Sequence, residues 1–261
     1  MKLDYLFVGA HPDDCEIFAG GTILNLKNQG ARVGILDLTR GEAGTFGDSQ
    51  TRKQELDKAS QLLGLDYRET LDFPDGRLED TAQARDRVIT ILRATKPEVI
   101  FTFPSICRHP DHEAVHYIVR KSAYLCGLKP RQSETTNQQR RESMDQQRRE
   151  TTDQQRRPCG LVEFIEFYPV EKPSFVIDVT DYYEQKKALV KCFSTQVLTD
   201  EKAEVSAAHT TFIRSSAFWD NFEGRLKWFG SLIGVRYGEG FMTAQPLRVE
   251  NPISHFKKRF R

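Results

Sequence analysis

The sequence predicts an α/β protein: a doubly wound, mostly parallel, Rossmann-like sheet with helices on both faces. Strand-length apolar runs alternate with amphipathic stretches of ~10–15 residues, the alternation that βαβ units require. Residues 3–8 and 99–103 are apolar nearly throughout, as in strands covered on both faces. Each of these two runs ends in a His-Pro-Asp turn, His11-Pro12-Asp13-Asp14 and His109-Pro110-Asp111-His112. Proline stops the ladder there, because it lacks an N–H and its φ is fixed. In a doubly wound sheet the first and fourth strands become neighbours where strand order reverses, and ligands bind in the crevice at their carboxyl ends. Fold and motif therefore point to the same place.

The elements follow in order. Residues 1–10 form the first strand, and Gly20-Gly21 open a helix closed by Gly30. Residues 32–39 form strand two, and the glycine-rich stretch 40–48 is a loop. Thr51 and Gln54 match a capping box, with Leu56, Ala59, Leu62 and Leu63 as the apolar stripe of the next helix. Strand three covers 67–73 and ends in Pro74-Asp75-Gly76, a turn signal. A helix over 80–95 turns Val88, Ile91 and Leu92 inward, and strand four covers 98–103. His112 begins a helix that runs to Gly127. Strands over 161–168 and 174–179 follow, then helices over 182–193 and roughly 202–233, then a basic tail.

The chain of 261 residues suits one large domain, 1–261, with one segment outside the plan. Residues 134–157 are three copies of an eight-residue unit, ETTNQQRR, ESMDQQRR and ETTDQQRR. Met144 is its only apolar residue, so it cannot cover a core, and a period of eight fits neither a helix face nor a heptad seam. It reads as an exposed insertion in a surface loop, whose deletion leaves folding and metal content intact. Its interleaved acids nearly cancel its arginines, and the whole chain carries only +1, so no nucleic-acid partner is expected. No stretch approaches the ~20 apolar residues of a membrane span, and Asp4 with His11 and two aspartates spoils a signal peptide. Five irregularly spaced cysteines (15, 107, 126, 159 and 192) without Cys-x-x-Cys fit free thiols in a cytoplasmic protein.

The chemistry resides in the two turns. An open zinc site needs three protein ligands and a water, with a base beside the water and a donor for the oxyanion. His11, Asp14 and His112 supply metal ligands from both strand ends. Asp13 cannot easily chelate alongside Asp14 and is left to take the proton from the water. His109 can face the substrate carbonyl as imidazolium, oriented by Asp111. The plainest competing role for Asp13 or Asp14 is that of a helix N-cap. Zn2+ is the expected metal, with Fe2+ an alternative, since both suit such ligands. His112-Glu113-Ala114-Val115-His116 also matches the H-E-x-x-H of zincin proteases, but Pro110 puts His112 at the very start of its helix and no third zincin ligand follows. His116 is therefore expected to be a packed or surface histidine. A non-catalytic nucleotide-binding module is the reading from another class. It is disfavoured because the first turn lacks G-x-G-x-x-G and offers carboxylates where a pyrophosphate needs bare N–H groups. Arg108, a planar fork, is the candidate for a substrate carboxylate.

The paired AHPDD and HPDH motifs resemble the LmbE-like, or PIG-L, superfamily of zinc-dependent N-acetylglucosamine deacetylases. Within it, GAHPDDCEIFAGGT, LTRGEAGTFG, LDFPDGRL, RHPDHEAV, PSFVIDVTDYYEQKKALV and GSLIGVRYGEGF resemble the bacillithiol-biosynthesis branch, which deacetylates N-acetylglucosaminyl-malate. The resemblance implies zinc on His11, Asp14 and His112, Asp13 as base, and His109 with Asp111 as oxyanion stabiliser. It also implies that Arg52 contacts sugar or carboxylate, that Glu42 and Asp75 touch sugar hydroxyls, and that the protein is a homo-oligomer acting on a small amino-sugar conjugate. Mycothiol-type and chitobiose-type amidases share this chemistry. Thr45-Phe46-Gly47 departs from the branch's Thr-Arg-Gly pattern and removes a positive charge near the mouth.

Overall fold

The structure, a computed structural model, describes residues 1–44, 46–47, 49–128, 160–164, 172–199 and 211–243. The repeat 134–157 and Cys159 lie outside these residues. The described strands are β1 (Tyr5–Gly9), β2 (Val33–Thr39), β3 (Tyr67–Phe73), β4 (Val99–Thr102), β5 (Gly160–Phe164), β6 (Phe175–Asp178) and β7 (Gly238–Met242). They form one seven-stranded sheet in the order β3-β2-β1-β4-β5-β7-β6. The first five are parallel, and β7 pairs antiparallel with both β5 and β6. The helices are α1 (Asp14–Asn28), α2 (Ser49–Leu63), α3 (Ala82–Thr95), α4 (Pro110–Leu125), α5 (Tyr183–Val190) and α6 (Ser216–Ile233).

The chain steps from β1 out to β2 and β3, then returns to place β4 on the other side of β1, pairing Tyr5, Leu6 and Phe7 with Val99, Ile100 and Phe101. Right-handed crossovers in opposite directions put α1 and α2 on one face and α3 and α4 on the other. Accordingly α3 packs on α4, and α1 packs on α2 and α5. Under the reversal point lies an aromatic floor. Phe7 stacks on Phe101 at 4.4 Å, and Phe103 meets Phe164 edge-on at 5.2 Å.

Several local expectations are corrected. α1 begins at Asp14, and Gly20-Gly21 lie in its interior. These glycines allow close approach rather than opening the helix: a Cβ on Gly21 would fall 2.8 Å from Val179 Cβ. The N–H groups of Gly21 and Thr22 also donate to the buried Glu239 carboxylate at 2.9 and 2.7 Å. α2 begins at Ser49, so Thr51 lies inside its first turn rather than capping it. α4 begins at Pro110, two residues before His112. Strand β7, within what reads as a helical end and tail, has no signal in its sequence, Gly-Glu-Gly-Phe-Met. Its glycines let α6 lie flush on the sheet, since a Cβ on Gly240 would fall 2.4 Å from the Phe229 ring. No described helix is long and apolar enough to cross a membrane.

Candidate active site

His11 follows β1, Asp14 opens α1, and His112 sits in the first turn of α4, so the β1–β4 pairing makes the two turns neighbours. Asp14 stands between the histidines, its Oδ1 3.3 Å from His112 Nε2 and its Oδ2 3.4 Å from His11 Nδ1. Asp14 Oδ2 also accepts the backbone N–H groups of Ala10 and His11 at 2.9 and 2.8 Å, which ties the side chain to its own turn. One ligand atom from each of His11, Asp14 and His112 lies within 4.8 Å of the others. Two imidazole nitrogens and a carboxylate oxygen make the donor set of an open zinc or ferrous site, so these residues could hold such an ion. His11, His109 and Asp111 also come within that distance of one another. There, however, the Asp111 carboxylate already accepts the N–H groups of Gly76 and Leu78 at 2.7 and 3.1 Å.

His11 is oriented from behind. Its Nε2 lies 3.0 Å from Asp75 Oδ1 and 3.3 Å from Asp111 Oδ2, which leaves Nδ1 toward Asp14. A carboxylate behind a ligating imidazole sets the tautomer and ring orientation. Burial works against a charged His11, but Asp111, Asp14 and Asp75 outweigh it and raise the imidazole well above its usual range. Burial likewise raises Asp14, and the His112 and His11 imidazoles override it to hold the carboxyl far below its usual range. So many carboxylates around a few imidazoles is an environment suited to a cation.

Asp13 occupies the N-cap position of α1 but makes no capping hydrogen bond with its side chain, so the N-cap role does not account for it. Its φ of 131° is a strained conformation for a non-glycine residue, and it is only 6% exposed. Burial first, and then the adjacent Asp14 charge, push its carboxyl well above the usual range. His109 corrects one expectation. Its Nδ1 accepts the backbone N–H of Asp111 at 3.2 Å, so the ring caps α4 and carries its proton on Nε2. The Asp111 carboxylate faces His11 and residues 76–78 instead. Burial, followed by the neighbouring His112 and His11, lowers the His109 pKa.

A cavity of about 310 Å³ opens over these groups and includes Asp13, His109, Arg52, Asp75 and Arg108 in its lining. The Arg52 guanidinium lies under the glycine-rich loop, where a Cβ on Gly41 would fall 2.5 Å from its Nη1. Glu42 turns away to accept the Asp75 N–H at 2.9 Å and is not among the described residues lining the cavity. Sequence reasoning missed the opposite wall, Gln196, Phe212 and Ile213, which comes from the far end of the chain with no motif to mark it. Arg108 lies 5.9 Å from the centre of the Phe212 ring. His116 is packed, 2% exposed, with its Nδ1 2.9 Å from the Phe103 carbonyl oxygen. Cys107 sits behind His112, its Sγ 3.3 Å from Nδ1.

Residues 6–123 match the PIG-L family, described as GlcNAc-PI de-N-acetylase. The chain is similar to the diacetylchitobiose deacetylase of Thermococcus kodakarensis, 25% identical over 245 residues that cover 90% of this chain and 80% of that one. It is also similar to the probable N-acetyl-alpha-D-glucosaminyl L-malate deacetylase 2 of Bacillus cereus, 35% identical over 127 residues, 44% of this chain and 58% of the relative. Among solved structures, the conserved protein TT1542 of Thermus thermophilus superposes with a TM-score of 0.77 at 30% identity, covering 95% of this chain and 97% of that one. With the two His-Pro-Asp turns meeting at the switch point of a matching fold, the chain belongs to the PIG-L, or LmbE-like, deacetylase family.

Proposed function

We propose that the protein is a metal-dependent hydrolase that removes the N-acetyl group of a glucosamine conjugate, releasing the free amine and acetate. The observation that carries this reading is the convergence of His11, Asp14 and His112 beside a strained, buried Asp13 on one wall of a cavity. His11, Asp14 and His112 would hold a zinc or ferrous ion, which would supply Lewis-acid polarisation of the amide carbonyl and acidify a water to a pKa of ~7. Asp13, whose carboxyl burial and the Asp14 charge hold well above its usual range, accepts the water proton, which then passes to the departing amine nitrogen. His109, with its proton on Nε2, donates to the oxyanion that develops on the carbonyl. Asp75 and Asp111 hold His11 in place, and Arg52 offers a guanidinium to the sugar.

N-acetylglucosaminyl-malate, the bacillithiol precursor, is the preferred substrate, with Arg108 at the cavity wall for a malate carboxylate. A chitobiose-type substrate is the second reading, favoured by similarity to the diacetylchitobiose deacetylase along 90% of the chain. A homo-oligomer in the cytoplasm belongs to the same proposal. Acetate release from N-acetylglucosaminyl-malate, diacetylchitobiose and an N-acetylglucosaminyl-inositol, each with and without chelator, tests it. Chelator-sensitive release that is fastest for the malate conjugate is expected. No release from any of the three, or release indifferent to chelator, overturns the metal-dependent reading.

A further inference from the structure

The two imidazoles beside Asp14 are held from behind by different chemistry. His11 has two carboxylates behind its outer nitrogen, whereas His112 has a sulfur. The faces of the His112 ring are set by stacking: Phe103 at 3.7 Å and 12° on one side, His109 at 4.7 Å and 24° on the other. Stacking fixes the plane of a ring but not which edge points where. A half-turn about Cβ–Cγ would leave both stacks intact while carrying Nε2 away from Asp14. What distinguishes the two orientations is the contact in the ring plane, Nδ1 to Cys107 Sγ at 3.3 Å, on the edge opposite the 3.3 Å approach of Nε2 to Asp14.

The sulfur is placed to accept. The backbone N–H of His109, which can only donate, points at Cys107 Sγ at 3.4 Å, so the sulfur already acts as an acceptor on the side where His112 Nδ1 approaches it. Cys107 is itself anchored, its backbone N–H donating to Glu113 Oε1 at 3.1 Å in the first turn of the same helix. Loop and helix thus close on each other around the His112 ring. The sulfur lies on the far nitrogen, so it stands behind the ligand rather than serving as one.

We propose that Cys107 is a positioning residue that holds His112 in its metal-binding orientation by accepting the Nδ1 hydrogen, the role that Asp75 and Asp111 fill for His11. The proposal rests on the metal reading above. Removing the partner behind a ligating histidine typically costs about 10–100-fold in metal affinity.

The experiment measures zinc affinity by chelator competition, together with the melting temperature of the metal-free protein, for wild type, Cys107→Ala and Cys107→Ser. For Cys107→Ala, zinc affinity is expected to fall about 10–100-fold while the metal-free melting temperature holds. Cys107→Ser keeps an acceptor with a shorter reach and is expected to recover most of the loss. In the Co2+-loaded protein, the visible bands of Cys107→Ala are expected to shift as His112 is released. Zinc affinity of wild-type strength in Cys107→Ala overturns the Cys107 role while leaving the metal reading intact. An affinity loss matched by an equal fall in metal-free stability, with no rescue by serine, also overturns it. Wild-type protein that binds no zinc overturns both.

Discussion

The two His-Pro-Asp turns share a tripeptide and a place at a strand end, yet they present its residues differently. In the first, the helix begins three residues after the histidine, at Asp14, which leaves Asp13 outside it at φ 131°. In the second, the proline is itself the first helical residue, so Asp111 lies inside α4 and His109 caps it. At about 100° of rotation per helical residue, a two-residue shift in helix start redirects everything after the proline. Asp13 lines the cavity, while Asp111 ties down residues 76–78 and faces His11. Only the position three after each histidine, Asp14 and His112, ends in the same place, on either side of one 3.3 Å contact. Where the helix starts, rather than the motif itself, decides which aspartate is available for chemistry.

The sharpest way to break this comparison is Asp13→Asn. Turnover is expected to fall about 10²–10⁴-fold with zinc stoichiometry unchanged, and near-normal turnover would remove Asp13 from the reaction. Stability offers the next test. Asp13→Gly relieves roughly 1–3 kcal/mol of backbone strain and is expected to raise the melting temperature. Asp111→Ala orphans two backbone N–H groups at about 1–3 kcal/mol each and is expected to lower it. Shifts of the same sign in both variants would mean that the two aspartates are not held in opposite ways.

The helices behind the turns also differ. α1 is tied by the buried Glu16–Arg68 pair, whereas α4 is tied to Asp80 by the half-exposed Lys121. Burial raises the Asp80 carboxyl, but the hydrogen bonds and charges of Lys121 and Arg85 together outweigh it and leave it below its ordinary value of 3.8. A carboxyl depressed in the folded state contributes stability above its unfolded pKa and loses it as pH falls. The melting-temperature gap between wild type and Asp80→Asn is therefore expected to be present near pH 6 and to close below about pH 4. The smallest effect is expected of His116→Gln. Zinc stoichiometry should match wild type, because His116 bonds the Phe103 carbonyl and faces Glu163 rather than the His112–Asp14 pair.

The sequence by itself determined the α/β alternation, the adjacency of β1 and β4, and the polar residues of the two turns. Apolar periodicity is local, and two proline-stopped strands of a doubly wound sheet must end at the same crevice. It did not disclose the direction of Asp111, the proton on His109 Nε2 or the seat of Cys107 behind His112, because each depends on where a helix starts and on what packs against the turn. Nor did it disclose β7 or the wall at Phe212 and Ile213. The residues of β7 read as part of a basic tail until α6 lies against their glycines, and that wall joins the site only because the folded chain brings back residues about a hundred positions beyond His112. Local pattern specifies the elements and their order; side-chain direction and the far side of the cavity are properties of packing, and only the tertiary structure decided them.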